Sequence, residues 1–162
     1  MFDIVSCRQD IDQVVDIARI IWTEHYTPII GIEQVEYMLS NFQSAETITE
    51  QISTGSYQYY LIKNSSEVVG YIGLQLKAEE VFLSKIYVLT SQRGTGIGKL
   101  SMQFIKALAT KYNLPKISLT VNKYNSDSIA AYYKFGFIKT AEVCTDIGQG
   151  YVMDDIVMVL TV

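Results

Sequence analysis

Apolar and polar residues are arranged with two different periods along this chain, and the period predicts where helices give way to strands. Residues 2–7 predict a short strand. Asp10 then predicts a helix N-cap, with Gln13 three residues later at capping-box spacing. The next apolar side chains recur at helical spacing on one wide face: Ile11, Val14, Val15, Ala18, Ile21 and Trp22. Pro28 and Gly31 interrupt this pattern, so we expect the helix to end there.

Strand patterns dominate after two more helical segments. Those helices are predicted at 32–41 and 44–54. Three strands follow, at 57–63, 67–76 and 80–89, the first two joined as a hairpin. The later elements are a glycine-rich turn that opens a helix at 97–112, a strand at 116–122, a helix capped by Asn125 and stopped by Gly136, and a hairpin of 137–145 and 151–161. This order predicts an α/β (α+β) protein with a mixed sheet and helices on its faces.

Composition and charge narrow the classes of function. The chain has 162 residues, with 13 Lys plus Arg against 17 Asp plus Glu, so its net charge is −4. An acidic balance argues against a nucleic-acid partner and favours cationic small molecules. We expect a cytoplasmic protein, because no apolar stretch is long enough to cross a membrane and the opening residues do not resemble a signal peptide. Cys7 and Cys144 are expected to be buried thiols, and the single histidine, His25, gives no basis for a zinc site.

The glycine-rich turn at 92–98 carries the clearest chemical signal. A predicted strand precedes it and a helix follows, so glycines and helix N–H groups would approach a ligand closely beside Arg93. This context predicts a phosphate or pyrophosphate site, against the alternative of a turn that only connects two elements. A Walker A loop does not fit, because position 93 is Arg and position 100 is Leu. The dinucleotide fingerprint fails at Lys99, whereas R-x-x-G-x-G fits residues 93–98.

Two motifs together resemble the GNAT superfamily of acyl-CoA-dependent N-acetyltransferases: R-x-x-G-x-G and, downstream, LTVNKYNSDSIAAYYKFGF at 119–137. The resemblance implies one domain over residues 1–162, with a mostly antiparallel twisted sheet of six to seven strands. It implies transfer of an acetyl group from acetyl-CoA, without metal, to a primary amine of a small molecule or of a peptide. The net charge of −4 is in keeping with a polyamine-like acceptor. A module of the same fold that binds or senses acyl-CoA without turnover is the alternative. A nucleotide-binding domain is a third hypothesis.

The resemblance also implies roles for individual residues. Backbone amides of the loop would bind the CoA pyrophosphate, with Arg93 shaping the loop: Gly94, Gly96, Ile97, Gly98 and Lys99. The main chain of Tyr87 and Val88 would hold the pantetheine arm and thioester, and Asn125 would contact the arm. Tyr132, rather than Tyr133, matches the tyrosine that protonates the leaving thiolate, and a core aromatic is its alternative role. Phe82 stands where the family often has an acid, so Glu80, two residues upstream, is the candidate base.

Candidates for the acceptor site come from two places. The family places acceptor contacts in the connection after the first helix, where Glu24, His25 and Tyr26 could form a wall, with a solvated helix end as the alternative. In the final strand, Asp154 and Asp155 interrupt two apolar faces. Adjacent carboxylates there are costly unless they are paired or near water, so one could receive a cationic amine, or both could pair with Lys or Arg. An exposed terminal strand could also mediate a homodimer.

Overall fold

A computed structural model describes all 162 residues and contains five α-helices and seven strands. The helices are α1 (Arg8–Ile30), α2 (Ile32–Phe42), α3 (Ala45–Ser53), α4 (Ile97–Lys111) and α5 (Ser126–Phe135). The strands are β1 (Phe2–Ile4), β2 (Gln58–Asn64), β3 (Glu67–Leu76), β4 (Glu80–Val88), β5 (Lys116–Asn122), β6 (Ile138–Gly148) and β7 (Tyr151–Thr161). A short 3-10 turn, Thr90–Gln92, follows β4.

The seven strands form one mixed, mostly antiparallel sheet in the order β1-β2-β3-β4-β5-β7-β6. Strands β4 and β5 run parallel and pair only through Glu80–Phe82 and Lys116–Ser118. Strand β5 pairs antiparallel with β7 along its whole length, and β7 pairs antiparallel with β6. The fold class and the number of strands confirm the prediction. The pairing of β4 with β5 therefore ends at Phe82, six residues before the end of β4.

The chain divides into two compact units. The first comprises Met1–Gln75 and Ser84–Ser101. Helix α1 contacts α2 and α3 there, and the predicted helix positions Val14, Ala18, Ile21 and Trp22 are all buried in the core. Tyr59 and Tyr71 are completely buried on the strands. The helical periodicity of α1 thus correctly identified the face that packs in the core.

The second unit comprises Leu76–Leu83 and Met102–Val162. Its core includes buried side chains of α4, β5 and β7, among them Ile117, Leu119, Ile156, Met158 and Leu160. Gly136 ends α5 in the left-handed conformation, and a side chain there would press on Leu160. The opposite face of β7 is less covered, because Val157 and Val159 are only partly buried. Sequence alternation had predicted cover on both faces.

Two details of α1 differ from expectation. The helix begins earlier, with Cys7 as N-cap, and the Asp10 carboxylate accepts hydrogen bonds from the backbone N–H groups of Ser6 and Cys7 at 3.0 and 3.3 Å. Asp10 thus supports the helix start from its third position, as the partner residue of a capping box does. The helix also continues through Pro28 and ends at Ile30, with Gly31 as its C-cap. Proline removes one backbone donor and crowds the preceding turn, and only two helical residues follow it here.

The expectation of buried cysteines is wrong. Cys7 and Cys144 are both exposed. Cys7 lies at the N-cap of α1, where the chain has already left the short strand β1. Cys144 lies on β6, an edge strand paired only with β7, and almost every residue of β6 is exposed. The apolar run around Cys144 therefore predicted a strand correctly, but this strand is exposed and does not belong to the core.

Candidate functional site

The glycine-rich loop links the 3-10 turn to α4 within the first unit. Gly94 and Gly96 have φ of +77° and +90°, a left-handed conformation that favours glycine. A Cβ at either position would meet no atom within 4 Å, so conformation and open space, rather than crowding, explain these glycines. The Thr95 hydroxyl donates to the Gln92 carbonyl at 2.6 Å and fixes the turn.

This loop has the features of an anion site. The backbone N–H groups at the start of a helix have no partner inside the helix, and Ile97 begins α4 at this point. The first turn of α4 carries no acidic residue. Arg93 and Lys99 are exposed beside the open glycines. The loop therefore offers unpaired donors, two cations and free space, which fit a phosphate or pyrophosphate group.

Four aromatic side chains of the first unit form what we call the aromatic wall: Trp22, Tyr26, Tyr71 and Tyr87. The Tyr87 ring lies 5.5 Å from the rings of both Trp22 and Tyr71, and 6.0 Å from that of Tyr26. The hydroxyls of Tyr26 and Tyr87 lie 3.0 Å apart. Burial raises the pKa of Tyr71 well above its usual range. The Tyr71 phenol is therefore neutral near pH 7, and Tyr26 joins the end of α1 to β4.

Gly70 on β3 sets the path of β4 beside the wall. A Cβ at Gly70 would overlap the Tyr87 carbonyl oxygen and press on Val88. This close approach brings Tyr87 and Val88, the two residues implied in pantetheine binding, against β3 on one side only. No glycine motif in the sequence marks Gly70, because the reason for it lies on another strand.

Glu24 and His25, the predicted acceptor residues that adjoin Tyr26 in sequence, make different contacts. The Glu24 carboxylate accepts a hydrogen bond of 3.3 Å from the Thr90 hydroxyl, which ties α1 to the segment before the glycine loop. The His25 ring lies 4.9 Å from the Tyr26 ring. Tyr26 reaches β4 through its hydroxyl, which lies 3.0 Å from that of Tyr87. The helix end is thus packed against β4 and its following turn through Tyr26 and Glu24.

A second group of polar and aromatic side chains, which we call the Lys85 cluster, was missed in the sequence: Tyr57, Tyr59, Ser84 and Lys85. The Lys85 Nζ lies 4.9 Å from the centre of the Tyr57 ring and 5.8 Å from that of Tyr59. It is 3.1 Å from the Ser84 hydroxyl, which lies 3.3 Å from the Tyr57 hydroxyl. Burial lowers the pKa of Lys85 to about 8. A lysine among apolar strand residues was the available signal.

Tyr132 lies on α5 in the second unit. Its ring is 5.6 Å from the ring of Phe137, which is completely buried. The backbone N–H of Phe137 donates to the Tyr132 carbonyl at 3.0 Å, so the turn after the helix holds both residues. Tyr133 is half exposed, at 50%. Asn125 is the N-cap of α5, as predicted, but its side chain makes no capping hydrogen bond and the residue is 4% exposed. Tyr132 is thus the more enclosed of the adjacent tyrosines.

The two aspartates of β7 differ sharply in their surroundings. Asp154 pairs with Lys123, as the alternative interpretation expected. Asp155 is 7% exposed and has no ion pair. Burial, and secondarily the neighbouring Asp154 charge, raises the pKa of Asp155 to about 6. Asp155 is therefore a buried carboxylate without a counter-ion in the second unit.

Glu80 opens β4 in the second unit and faces two ammonium groups. Its carboxylate lies 4.0 Å from Lys77 Nζ and 3.9 Å from Lys116 Nζ. Both lysines compete with any substrate proton for its oxygens, so the candidate base of the sequence lies in an ion-pair network. No group of three or more His, Cys, Asp or Glu side chains is arranged to hold a metal ion. No helix is both long and apolar enough to cross a membrane.

The chain belongs to the Acetyltransferase (GNAT) family, whose model matches residues 14–137. A curated relative, spermidine N(1)-acetyltransferase from Thermoplasma acidophilum, is 23% identical over 133 residues, which span 80% of this chain and 83% of that protein.

Solved structures show the same fold. The PaiA N-acetyltransferase from Thermoplasma acidophilum, in complex with coenzyme A, superposes with a TM-score of 0.83 at 22% identity, over 100% of this chain and 99% of that chain. A GCN5-related N-acetyltransferase from Rhodopseudomonas palustris gives a TM-score of 0.81 at 14% identity, over 100% and 95%. These findings confirm the family that the two sequence motifs predicted.

Proposed function

We propose that this protein transfers the acetyl group of acetyl-CoA directly to a primary amine of a small molecule or peptide. The observation that carries the proposal is the glycine loop, an open set of unpaired donors beside Arg93 at the start of α4, in a chain of the GNAT family. Backbone amides of Gly94, Gly96, Ile97, Gly98 and Lys99 bind the pyrophosphate in this proposal. Acetyl-CoA acts as a substrate, and no metal takes part.

The pantetheine arm and thioester are assigned to β4. In this proposal the main chain of Tyr87 and Val88, which lie beyond the last β4–β5 pair at Phe82, hydrogen-bonds to the ligand. Asn125, buried at the start of α5, contacts the same arm. Main-chain binding would hold the thioester carbonyl in a fixed orientation, which is a large part of catalysis when two reactants must meet.

Tyr132 is the general acid in this proposal. The neutral acceptor nitrogen attacks the thioester carbonyl carbon, the C–S bond breaks, and the Tyr132 hydroxyl protonates the departing thiolate. A thiol and a phenol ordinarily titrate at roughly 8.5 and 10, so this proton transfer is nearly balanced. The packing of Tyr132 on Phe137 supports the role, because a general acid must be held in position.

The acceptor is proposed to be a small cationic amine, with polyamines the first class to test. Asp155 supports this, since a buried carboxylate without a counter-ion would gain by receiving an ammonium group. Relationship to a spermidine N(1)-acetyltransferase points the same way, as does the net charge of −4. In the first unit, Tyr26 with its neighbours Glu24 and His25 would line the path of the amine.

Thiol release from acetyl-CoA tests the proposal directly. The purified chain is mixed with acetyl-CoA and, in separate reactions, spermidine, putrescine, lysine and a peptide with a free N-terminus. We expect amine-dependent thiol release with equimolar acetylated product by mass spectrometry, and the highest kcat/KM for a polyamine. Binding of acetyl-CoA with no turnover of any amine would instead support an acyl-CoA sensor of the same fold. A thermal shift with acetyl-CoA supplies the binding measurement.

A further inference from the structure

Lys85 is a partly buried cation with no carboxylate beside it. The groups around its ammonium are two aromatic rings and the Ser84 hydroxyl. A buried ionised group is normally paired, because leaving water costs free energy that only a counter-ion or several hydrogen bonds offset. Cation–π contacts and one hydroxyl offset part of that cost. The surroundings of Lys85 therefore favour the neutral form of its amine more than the surroundings of an exposed lysine do.

Lys85 shares a strand face with the aromatic wall. A Cβ at Gly73 would press on both Tyr59 and the Lys85 side chain. Because glycine has no Cβ, Lys85 has room to lie across β3 towards Tyr59. Tyr71, two residues before Gly73 and on the same face, contacts the Tyr87 ring. Lys85 and Tyr87 therefore lie side by side over one face of β3, roughly 7 Å apart along β4.

We propose that Lys85 is the base that removes a proton from the acceptor ammonium before acetyl transfer. The inference rests on the proposed function and supplies what that function still requires. The conventional candidate, Glu80, faces two lysines, whereas the amine of Lys85 faces only phenols and a hydroxyl. Lys85 also lies on the strand assigned to the thioester, two residues before Tyr87, whose hydroxyl is 3.0 Å from that of the acceptor residue Tyr26.

The proton balance of the step is simple. The acceptor enters as R–NH3⁺ and gives one proton to the neutral Lys85 amine. The resulting R–NH2 forms a C–N bond to the thioester carbonyl carbon, and the C–S bond breaks. Tyr132 gives its proton to the departing thiolate, and the second proton lost from the nitrogen restores the Tyr132 hydroxyl. Lys85 ends as an ammonium and returns its proton to solvent. The products are the amide, the CoA thiol and one proton.

The groups that face Lys85 decide its titration. Tyr57 and Tyr59 contribute phenols from the β2 side, and the Tyr59 hydroxyl donates to the neutral Gln51 side chain of α3 at 2.6 Å. Burial raises the pKa of Tyr59, so this phenol is uncharged at neutral pH. No charged group on any of these elements shifts the Lys85 pKa, which burial alone lowers.

Trace labelling with acetic anhydride measures the state of Lys85 without any acceptor. The full chain is labelled across a pH range, and acetylation of each lysine is followed by peptide mass spectrometry. We expect half-maximal reactivity of Lys85 near the pKa of about 8, whereas an ordinary lysine reaches it at about 10.4. A midpoint for Lys85 in the ordinary range would contradict the proposal.

Kinetics of Lys85→Arg and Lys85→Met then separate proton transfer from charge. Arginine keeps the stem, the cation and the ring contacts, but it does not deprotonate in proteins. We expect both variants to lose about 10²–10⁴ in kcat on the best amine of the panel, which is the usual contribution of general base catalysis. The KM for acetyl-CoA should stay the same. The pH at which kcat/KM levels off should move from near 8 in the wild type towards the pKa of the free amine.

Lys106→Met on α4 is the matched control, since this lysine has no place in the proposed machinery. Wild-type turnover of an amine establishes the proposed function independently of the variants. Given that turnover, normal kcat in Lys85→Met would overturn the role of Lys85. Recovery of kcat by Lys85→Arg would also overturn it, because the cation and not the proton would then be what matters.

Discussion

The Tyr26 hydroxyl lies 3.0 Å from the Tyr87 hydroxyl and so links the end of α1 to the half of β4 that has no β5 partner. The contact is partly buried, where a hydrogen bond contributes about 1 kcal/mol net to stability. We expect Tyr26→Phe and Tyr87→Phe each to lower the free energy of unfolding by about that amount, measured by urea titration. The double variant should cost less than the sum, because either single change already removes the bond.

The same variants test whether the wall touches the acceptor. Loss of either hydroxyl should raise the amine KM while the KM for acetyl-CoA is preserved. Tyr37→Phe on α2, outside the wall, serves as the control. Strictly additive losses in stability together with unchanged amine KM would show that the two hydroxyls neither couple nor line the acceptor path.

Gly96→Asp should abolish tight binding of CoA. The new side chain would bring a negative charge to the anion loop and would have to adopt φ near +90°. We expect at least a hundredfold weaker binding by isothermal titration. Gly55→Asp controls for backbone strain, because Gly55 also has a positive φ, +72°, and open surroundings, but lies before β2. Equal loss of binding in the two variants, or none in Gly96→Asp, would refute the anion site.

Tyr132→Phe should separate proton donation from packing. The ring contact with Phe137 remains and only the hydroxyl is lost. We expect kcat to fall by about 10²–10⁴, with KM for acetyl-CoA nearly unchanged. Tyr133→Phe is the natural control, since that side chain is half exposed. Similar kcat in the two variants would mean that Tyr132 serves α5 as a packing residue.

Local patterns predicted much of the fold because their physical causes are local. The apolar face of α1 follows from helical period, and the glycine loop follows from residues that need positive φ. Both features lie within one or two turns of chain. The two ends of α1 were less accurate, since Asp10 acts from the third helical position and Pro28 is tolerated near the terminus. Capping and chain breaking depend on where the neighbouring backbone goes.

Contacts between distant strands could not be read in the same way. Gly70 faces the Tyr87 carbonyl, 17 residues further on, and Gly73 makes room for Lys85. Each glycine looks like an ordinary break in strand alternation until the register of β3 and β4 is known. The unusual environment of Lys85 arises from that register together with rings on β2. Burial on a specific face, rather than residue type, determines the chemistry of such a side chain.

Replacing Asp155 is expected to stabilise the folded protein, whereas most substitutions destabilise it. Its pKa is raised to about 6 in the folded protein from an ordinary 3.8. The folded state therefore binds the proton more tightly, and this group's contribution to stability falls as pH rises from 3.8 to about 6 and stays unfavourable above. Asp155→Asn should raise the free energy of unfolding at pH 7.5 by up to about 3 kcal/mol. The gain should shrink as pH falls and vanish well below pH 3.8, where the carboxyl group is protonated in both states.

Asp154→Asn is the control for this measurement and for the acceptor. Asp154 is one-third exposed and paired with Lys123, so its loss should cost less than about 1 kcal/mol. If Asp155 receives the cationic amine, Asp155→Asn should gain stability and yet raise the amine KM at least tenfold, while Asp154→Asn changes KM little. Spermidine should raise the melting temperature of the wild type at pH 7.5 and not that of Asp155→Asn, because an ammonium beside the carboxylate offsets the cost of burying it. A stabilised Asp155→Asn protein with the wild-type amine KM would show that the carboxylate is buried without receiving the acceptor, and an anionic amine as best substrate would lead to the same conclusion.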